Sequence, residues 1–221
     1  RSSDRTQEIV RTIAQNDSRV ELLINRQETT PYALNLGIMH AADCDVFIIL
    51  GAHSEINSDY VKLCIKNLQN DSSVGCVGGI LENVNEDSVS EKIGKAMSSP
   101  FGVGNAHFRT GAKSGYVDTV AFGAYAKEVF EKIGYFDEDL TRNQDDEFNF
   151  RVIKGGFKIL LDPAIRAKYY VRASFEKLLR QYYQYGFWKV YVNRKHRTVT
   201  SIRQLAPPFF VLFVMTVVAL P

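Results

Sequence analysis

The sequence predicts an α/β fold, one sheet with crossover helices, on three observations. Short apolar runs alternate with stretches whose apolar residues recur every three to four positions. The run at 46–50 is apolar without interruption, as in a parallel strand covered on both faces. Pro and Gly stand where helices should start and stop. Ligands in such sheets bind at the carboxyl ends of the strands, so site residues are sought there.

In chain order, residues 4–15 read as a helix with Ser3 or Asp4 as its cap, and 20–24 as a short strand. Pro31 suits the first turn of a helix running to residue 42, and 46–50 is the next strand. A helix at 59–68 and a strand at 74–80 follow. Residues 98–115 form a Gly-rich connection long enough to be a functional loop, and 115–125 are apolar enough for a strand entering the site. Gly155 and Gly156 stop a helix ahead of a strand at 157–163. Ser174 caps a long amphipathic helix carrying Leu178, Leu179, Tyr182 and Tyr183.

At 221 residues and net charge +2 the chain has enough length for one sizeable core, and the balance argues against disorder and against a dedicated nucleic-acid binder. Cys44, Cys64 and Cys76 lack CxxC spacing, which points away from a disulfide framework or zinc site and toward small buried hydrophobes in a reducing setting. Residues 205–221 carry no charge and read either as the first part of a membrane segment or as a short buried helix. Upstream, Arg166, Lys168, Arg172, Lys177, Arg180, Lys189, Arg194, Lys195, Arg197 and Arg203 are opposed after Asp162 by Glu176 alone. Such a basic flank marks the cytoplasmic side of a membrane helix; a solvated helix face or a diphosphate-binding surface has the same composition.

Two stretches carry the chemistry. Asn143-Gln144-Asp145-Asp146-Glu147-Phe148 puts three acids at a predicted helix start, where they can act as carboxylates in a site or simply complement the helix dipole. Arg151 follows Glu147 at i, i+4 spacing, as in a surface ion pair. Gln181-Tyr182-Tyr183-Gln184-Tyr185-Gly186-Phe187-Trp188-Lys189 supplies amides and aromatics able to hold a sugar and a diphosphate, although Trp188 also suits a membrane interface. Together with Ser2-Ser3-Asp4-Arg5-Thr6, Ala33-Leu34-Asn35-Leu36-Gly37, Gly102-Val103-Gly104-Asn105-Ala106-His107-Phe108-Arg109 and Val117-Asp118-Thr119-Val120-Ala121-Phe122-Gly123-Ala124, these stretches resemble the family 2 glycosyltransferases, most closely the branch with the succinoglycan-biosynthesis enzymes.

The resemblance implies a GT-A fold, a Rossmann-like sheet that binds a nucleotide-diphosphate sugar, with Arg1 falling in the loop after the family's second strand, so that the N-terminal strands are missing. It implies an incomplete catalytic domain over 1–172, an amphipathic basic and aromatic interface region over 173–204, and the start of a membrane segment over 205–221. The expected activity is inverting transfer from a nucleotide sugar, of the UDP type, to a lipid-linked or polysaccharide acceptor at the cytoplasmic face of the cell membrane. Such transfer needs one base to take the acceptor proton. In the family it is the Asp of a Glu-Asp pair; here the pair reads Gln144-Asp145, giving Asp145 that role. Asp118, Gly123, Asp146, Glu147, Gln184 and Trp188 are the expected substrate-binding residues. The processive members' Gln-x-x-Arg-Trp motif is replaced by Gln184-Tyr185-Gly186-Phe187-Trp188, one residue longer and without Arg. The family's Asp-x-Asp or Asp-x-His motif reads Gly51-Ala52-His53, so His53, with Glu55 close by, is the candidate ligand for a divalent cation, Mg2+ or Mn2+, and equally an ordinary loop histidine. His107 reads as a loop residue, and His40 and His196 carry no signal.

Overall fold

The computed structural model describes residues 4–99, 106–111, 113–171 and 174–219, with the side chains of 202 and 203 excepted. Ser3 as a cap, the run Gly102 to Asn105, Arg172 and the Arg203 side chain therefore lie outside the described residues. The first helix is capped at Arg5 without a side-chain cap bond rather than at Asp4, although the Asp4 carboxylate accepts from the Thr6 backbone N at 3.0 Å.

Among the described residues the helices are α1 (Thr6–Asn16), α2 (Thr30–His40), α3 (Tyr60–Asn70), α4 (Ser88–Met97), α5 (His107–Thr110), α6 (Lys127–Ile133), α7 (Gln144–Lys154), α8 (Phe175–His196) and α9 (Ala206–Ala219). The strands are β1 (Val46–Ile48), β2 (Ser54–Ile56), β3 (Val74–Val84), β4 (Gly115–Tyr116), β5 (Ala121–Ala126) and β6 (Lys158–Tyr170). They form one sheet in the order β1-β5-β3-β6-β2, with β4 also on β6. β3 and β6 run parallel, and every other pairing is antiparallel.

The central strand is apolar and buried from Val74 to Leu81, as a strand covered on both faces must be. Its register with β6 shifts between Gly78 and Ile80, where the chains come so close that a Cβ on Gly79 would sit 1.8 Å from the Ile165 carbonyl oxygen. Only glycine allows that approach. On one face pack Tyr60, Cys64 and Leu68 of α3 with Ile93 and Met97 of α4. On the other, Val129 and Phe130 of α6 meet Phe148 and Val152 of α7. There Phe136 and Phe148 stack at 4.2 Å between centroids and Tyr125 meets Phe148 edge-on at 5.4 Å. Each such ring buries about 1.5–3 kcal/mol of apolar transfer energy, which fixes the helix that carries the three acids against the sheet.

Four expectations are corrected. Residues 20–24 form no strand, because no neighbouring chain among the described residues offers them a ladder. β1 runs antiparallel to β5 at the sheet's edge, half-buried with Leu50 exposed, since an apolar run encodes burial but not direction. The stretch 115–125 is two strands, and Phe122 in the second has a φ of 51°. β6 continues through Pro163 to Tyr170, the proline lying opposite the register shift. Cys64 and Cys76 are buried as expected, with burial pushing the Cys64 thiol up to about 12, but Cys44 is exposed.

Candidate active site

α7 begins at Asn143, whose left-handed backbone (φ 61°, ψ 19°) turns the chain into the helix and which sends its side-chain amide to the Tyr185 carbonyl of α8 at 2.9 Å. The three acids of its first turn then part company. Asp146 is ion-paired with Lys189 of α8. Glu147 is fully buried: it accepts from Arg151 Nε at 2.9 Å and lies 2.8 Å from His196 Nε2. Arg151 also donates to the Ile133 and Tyr135 carbonyls at 2.9 and 2.7 Å, so the expected surface pair is a partly buried clamp between α7 and the end of α6. Glu147 is fully buried, which corrects the expectation that it binds substrate; the Arg151 guanidinium pairs with its carboxylate and the His196 ring lies within hydrogen-bond distance, as a buried polar group requires.

Asp145 is different. It makes no ion pair among the described residues and its side chain is open to water, yet crowding by the surrounding protein raises its pKa above the ordinary 3.8, against the smaller opposing pulls of a backbone hydrogen bond and Lys189. A carboxyl that water can reach while protein mass desolvates it lies on the floor of a recess. Tyr185 shares that setting: it is 39% exposed, its pKa is raised by desolvation, and its hydroxyl feels both Asp145 and Arg109. Because Asp145 and Arg109 both act electrostatically on Tyr185, the recess is assigned to the side of the molecule that carries the start of α7, the middle of α8 and α5.

α8 closes this side of the molecule by one helical face. Tyr185, Lys189, Val192 and His196 fall at 3.6-residue spacing and meet α7 or its approach, with Val192 fully buried between the two ion pairs. Arg142 adds a bond to Gln184 Oε1 at 3.1 Å, which turns Gln184 toward α7. Trp188 packs against Phe187 and Tyr191 at 5.6 and 5.8 Å. His196, Lys189 and Tyr185 were missed as site partners, although the helical periodicity of α8 holds the signal.

Beneath the recess a buried chain of hydrogen bonds joins β5 to α7: Tyr125 OH donates to Asn149 Oδ1 at 2.9 Å, and Asn149 Nδ2 to Thr119 Oγ1 at 2.8 Å. Gly123 is a packing position, since a Cβ there would meet Cys76 Sγ and the Tyr125 ring at 2.9 Å. Asp118 is exposed and accepts from Ser201 Oγ at 3.4 Å, just past α8.

At the end of β1, His53 lies edge-on to Tyr169 with centroids 5.1 Å apart, and a Cβ on Gly51 would meet the His53 ring at 2.9 Å. Glu55 is engaged by Lys168 at 3.1 Å and Tyr170 OH at 3.3 Å. Among the described residues no three His, Cys, Asp or Glu side chains converge to hold a metal ion. A divalent cation held by His53 would therefore need the donor's own phosphates as further ligands. An open depression of about 480 Å³ near Tyr32, Asn35 and Asp137 is lined by a different set of residues and does not include Asp145.

A family model described as Glycosyl transferase family 2 matches residues 1–134. The chain belongs to that family. Its mixed sheet with helices on both faces is a GT-A-like transferase fold: the crystal structure of GalNAc-T7 with UDP, GalNAc and Mn2+ superposes with a TM-score of 0.59 at 15% identity, covering 79% of this chain and 36% of that one. Among curated proteins, a Dolichyl N-acetyl-alpha-D-glucosaminyl phosphate 3-beta-D-2,3-diacetamido-2,3-dideoxy-beta-D-glucuronosyltransferase of Methanococcus voltae is 32% identical over 203 residues, 88% of this chain. Succinoglycan biosynthesis protein ExoA of Rhizobium meliloti is 28% identical over 207 residues, 93% of this chain. The chain spans 62% of the length of each of those two relatives. The family match ends before α7, so Asp145 rests on geometry rather than on that match.

Among the described residues no helix is long and apolar enough to cross a membrane. α9 has fourteen residues, about 21 Å at 1.5 Å per residue, with Phe209, Phe210, Leu212, Phe213 and Val218 all exposed.

Proposed function

We propose that this chain is the catalytic part of an inverting glycosyltransferase that moves a sugar from a UDP-sugar to a lipid-linked or polysaccharide acceptor. One observation carries the reading: of three adjacent acids at the start of α7, two are engaged by α8, and Asp145 makes no ion pair among the described residues and is exposed yet desolvated. A raised carboxyl pKa makes a stronger base, and a single base suffices when the acceptor oxygen attacks the anomeric carbon opposite the leaving diphosphate. Asp145 takes the acceptor proton, Lys189 and His196 hold α8 so that Tyr185 and Gln184 wall the recess, and the Tyr125–Asn149–Thr119 chain fixes α7 to β5. No step is routed through a metal. The Methanococcus relative's dolichyl-linked acceptor and the UDP in the GalNAc-T7 structure support the choice of acceptor and donor class.

The exposed apolar α9, following the basic α8, supports a position at the cytoplasmic face of a cell membrane, where the acceptor lipid lies. A second reading, an inactive membrane-anchored sugar-nucleotide or polysaccharide-binding domain, is favoured by Gly51 and Gln144, which stand where the family's motifs have acids. Transfer of labelled sugar from a panel of UDP-sugars to membrane lipid extracts, in the full protein and its Asp145→Asn variant, separates the two. Transfer lost in the variant supports the base; donor binding without transfer in either protein supports the inactive domain.

A further inference from the structure

Arg109 is an unpaid charge in this fold. It sits on α5, which packs against β3 and β6, and its guanidinium lies 5.3 Å from the Tyr169 ring and 5.6 Å from that of Phe108. Its Nη1 is sealed from water and has no hydrogen-bond partner, and no carboxylate is ion-paired with it among the described residues. Burial lowers its pKa, opposed in part by the electrostatic influence of Tyr169, Tyr182 and Tyr185. Stacking on an aromatic face recovers part of the desolvation cost of a guanidinium, but a sealed N–H still lacks an acceptor. Tyr185 of α8 is within electrostatic reach of both Asp145 and Arg109, so the orphan cation and the candidate base act on one side chain.

We propose that Arg109 is the anion anchor of this recess and binds a diphosphate group. The inference rests on the transfer reading above. Three features point to a diphosphate. A planar fork of donors matches phosphoryl oxygens bidentately. The α8 stretch that closes the recess, Gln184 to Trp188, offers no cation of its own until Lys189, which is spent on Asp146. Among the described residues no three His, Cys, Asp or Glu side chains converge, so a cation sharing the diphosphate's charge would draw few ligands from the protein itself. Arg109 answers that need from a different element. A diphosphate occurs both in the donor and in a lipid-linked acceptor, and the chemistry of recognition is the same.

Calorimetric titration of the full chain with inorganic pyrophosphate tests the anchor, and UDP and farnesyl diphosphate separate its source. Arg109→Met should weaken pyrophosphate binding about 10- to 100-fold, the range of a charge-assisted hydrogen bond, while Arg109→Lys, which keeps charge but not the fork, should fall between. Loss of UDP binding alone assigns the donor's diphosphate, and loss of farnesyl diphosphate binding alone assigns the acceptor's. In the unmodified protein, pyrophosphate should also protect Arg109 from phenylglyoxal, read by peptide mass spectrometry; this arm stands even where the Met variant does not fold. Unchanged pyrophosphate affinity in a folded Met variant, or Arg109 modified equally with and without pyrophosphate, overturns the proposal. Because the readout is binding, a protein that holds pyrophosphate through Arg109 yet transfers no sugar would refute the transfer reading and leave the anchor standing.

Discussion

Replacing Asp145 with Asn should separate catalysis from stability in opposite directions. The carboxyl carries no ion pair among the described residues, so the isosteric amide removes a desolvated charge and little else. Losing a general base costs about 10²- to 10⁴-fold, or about 2.7–5.4 kcal/mol of transition-state stabilisation at ~1.36 kcal/mol per factor of ten. That loss should appear in kcat with the donor's Kd nearly unchanged, since the base acts on the acceptor oxygen as it attacks. The pH profile should change with it. Wild-type kcat/KM falls as Asp145 is protonated, with its acid limb above the ordinary carboxylate value of 3.8, and the variant lacks that limb.

The sign of the stability effect follows from the same shift. A carboxyl whose pKa is raised on folding stabilises the native state below its unfolded value and loses that contribution as pH rises through the folded value. At neutral pH wild-type Asp145 is therefore a cost, and Asp145→Asn should raise Tm at pH 7 with no gain near pH 3. Initial rates with labelled UDP-sugar and thermal melts at the two pH values test both arms. A variant that keeps more than half the activity, or that is less stable than wild type at pH 7, refutes the placement of Asp145 as an unpaired, desolvated base.

Lys189→Met should move the acid limb of kcat/KM to higher pH, because Lys189 favours the ionised form of Asp145; a limb that stays put would show that α8 does not act on the base. Glu147→Ala should destabilise the protein by about 3–5 kcal/mol in urea unfolding by stranding a buried cation, whereas a cost below ~1 kcal/mol would return Glu147 and Arg151 to the class of surface pairs. The full protein should float with anionic vesicles and stay bound in about 1 M salt, which screens the basic α8 but not apolar insertion of α9. Removal by salt as easy as that of a protein ended at residue 204 would make α9 a packing helix.

Burial was legible in the sequence and partnership was not, and the three acids show why. A first-turn acid looks the same in a sequence whether it complements a helix dipole, caps, or waits in a site. What sorts Asp145, Asp146 and Glu147 is the face of α8 that meets them, more than forty residues later in the chain for Lys189 and His196. The period that puts Tyr185, Lys189, Val192 and His196 on one face could be counted from the sequence, but that this face would land on α7 depends on the whole sheet lying between. Strand 46–50 makes the same point for the fold: its apolar run placed a strand correctly, while its antiparallel pairing with β5 is a property of topology that no run of side chains encodes. Arg109 is the extreme case. It closes a stretch that the family resemblance singles out, but its significance comes from lacking an acceptor among the described residues, which only three-dimensional placement can show.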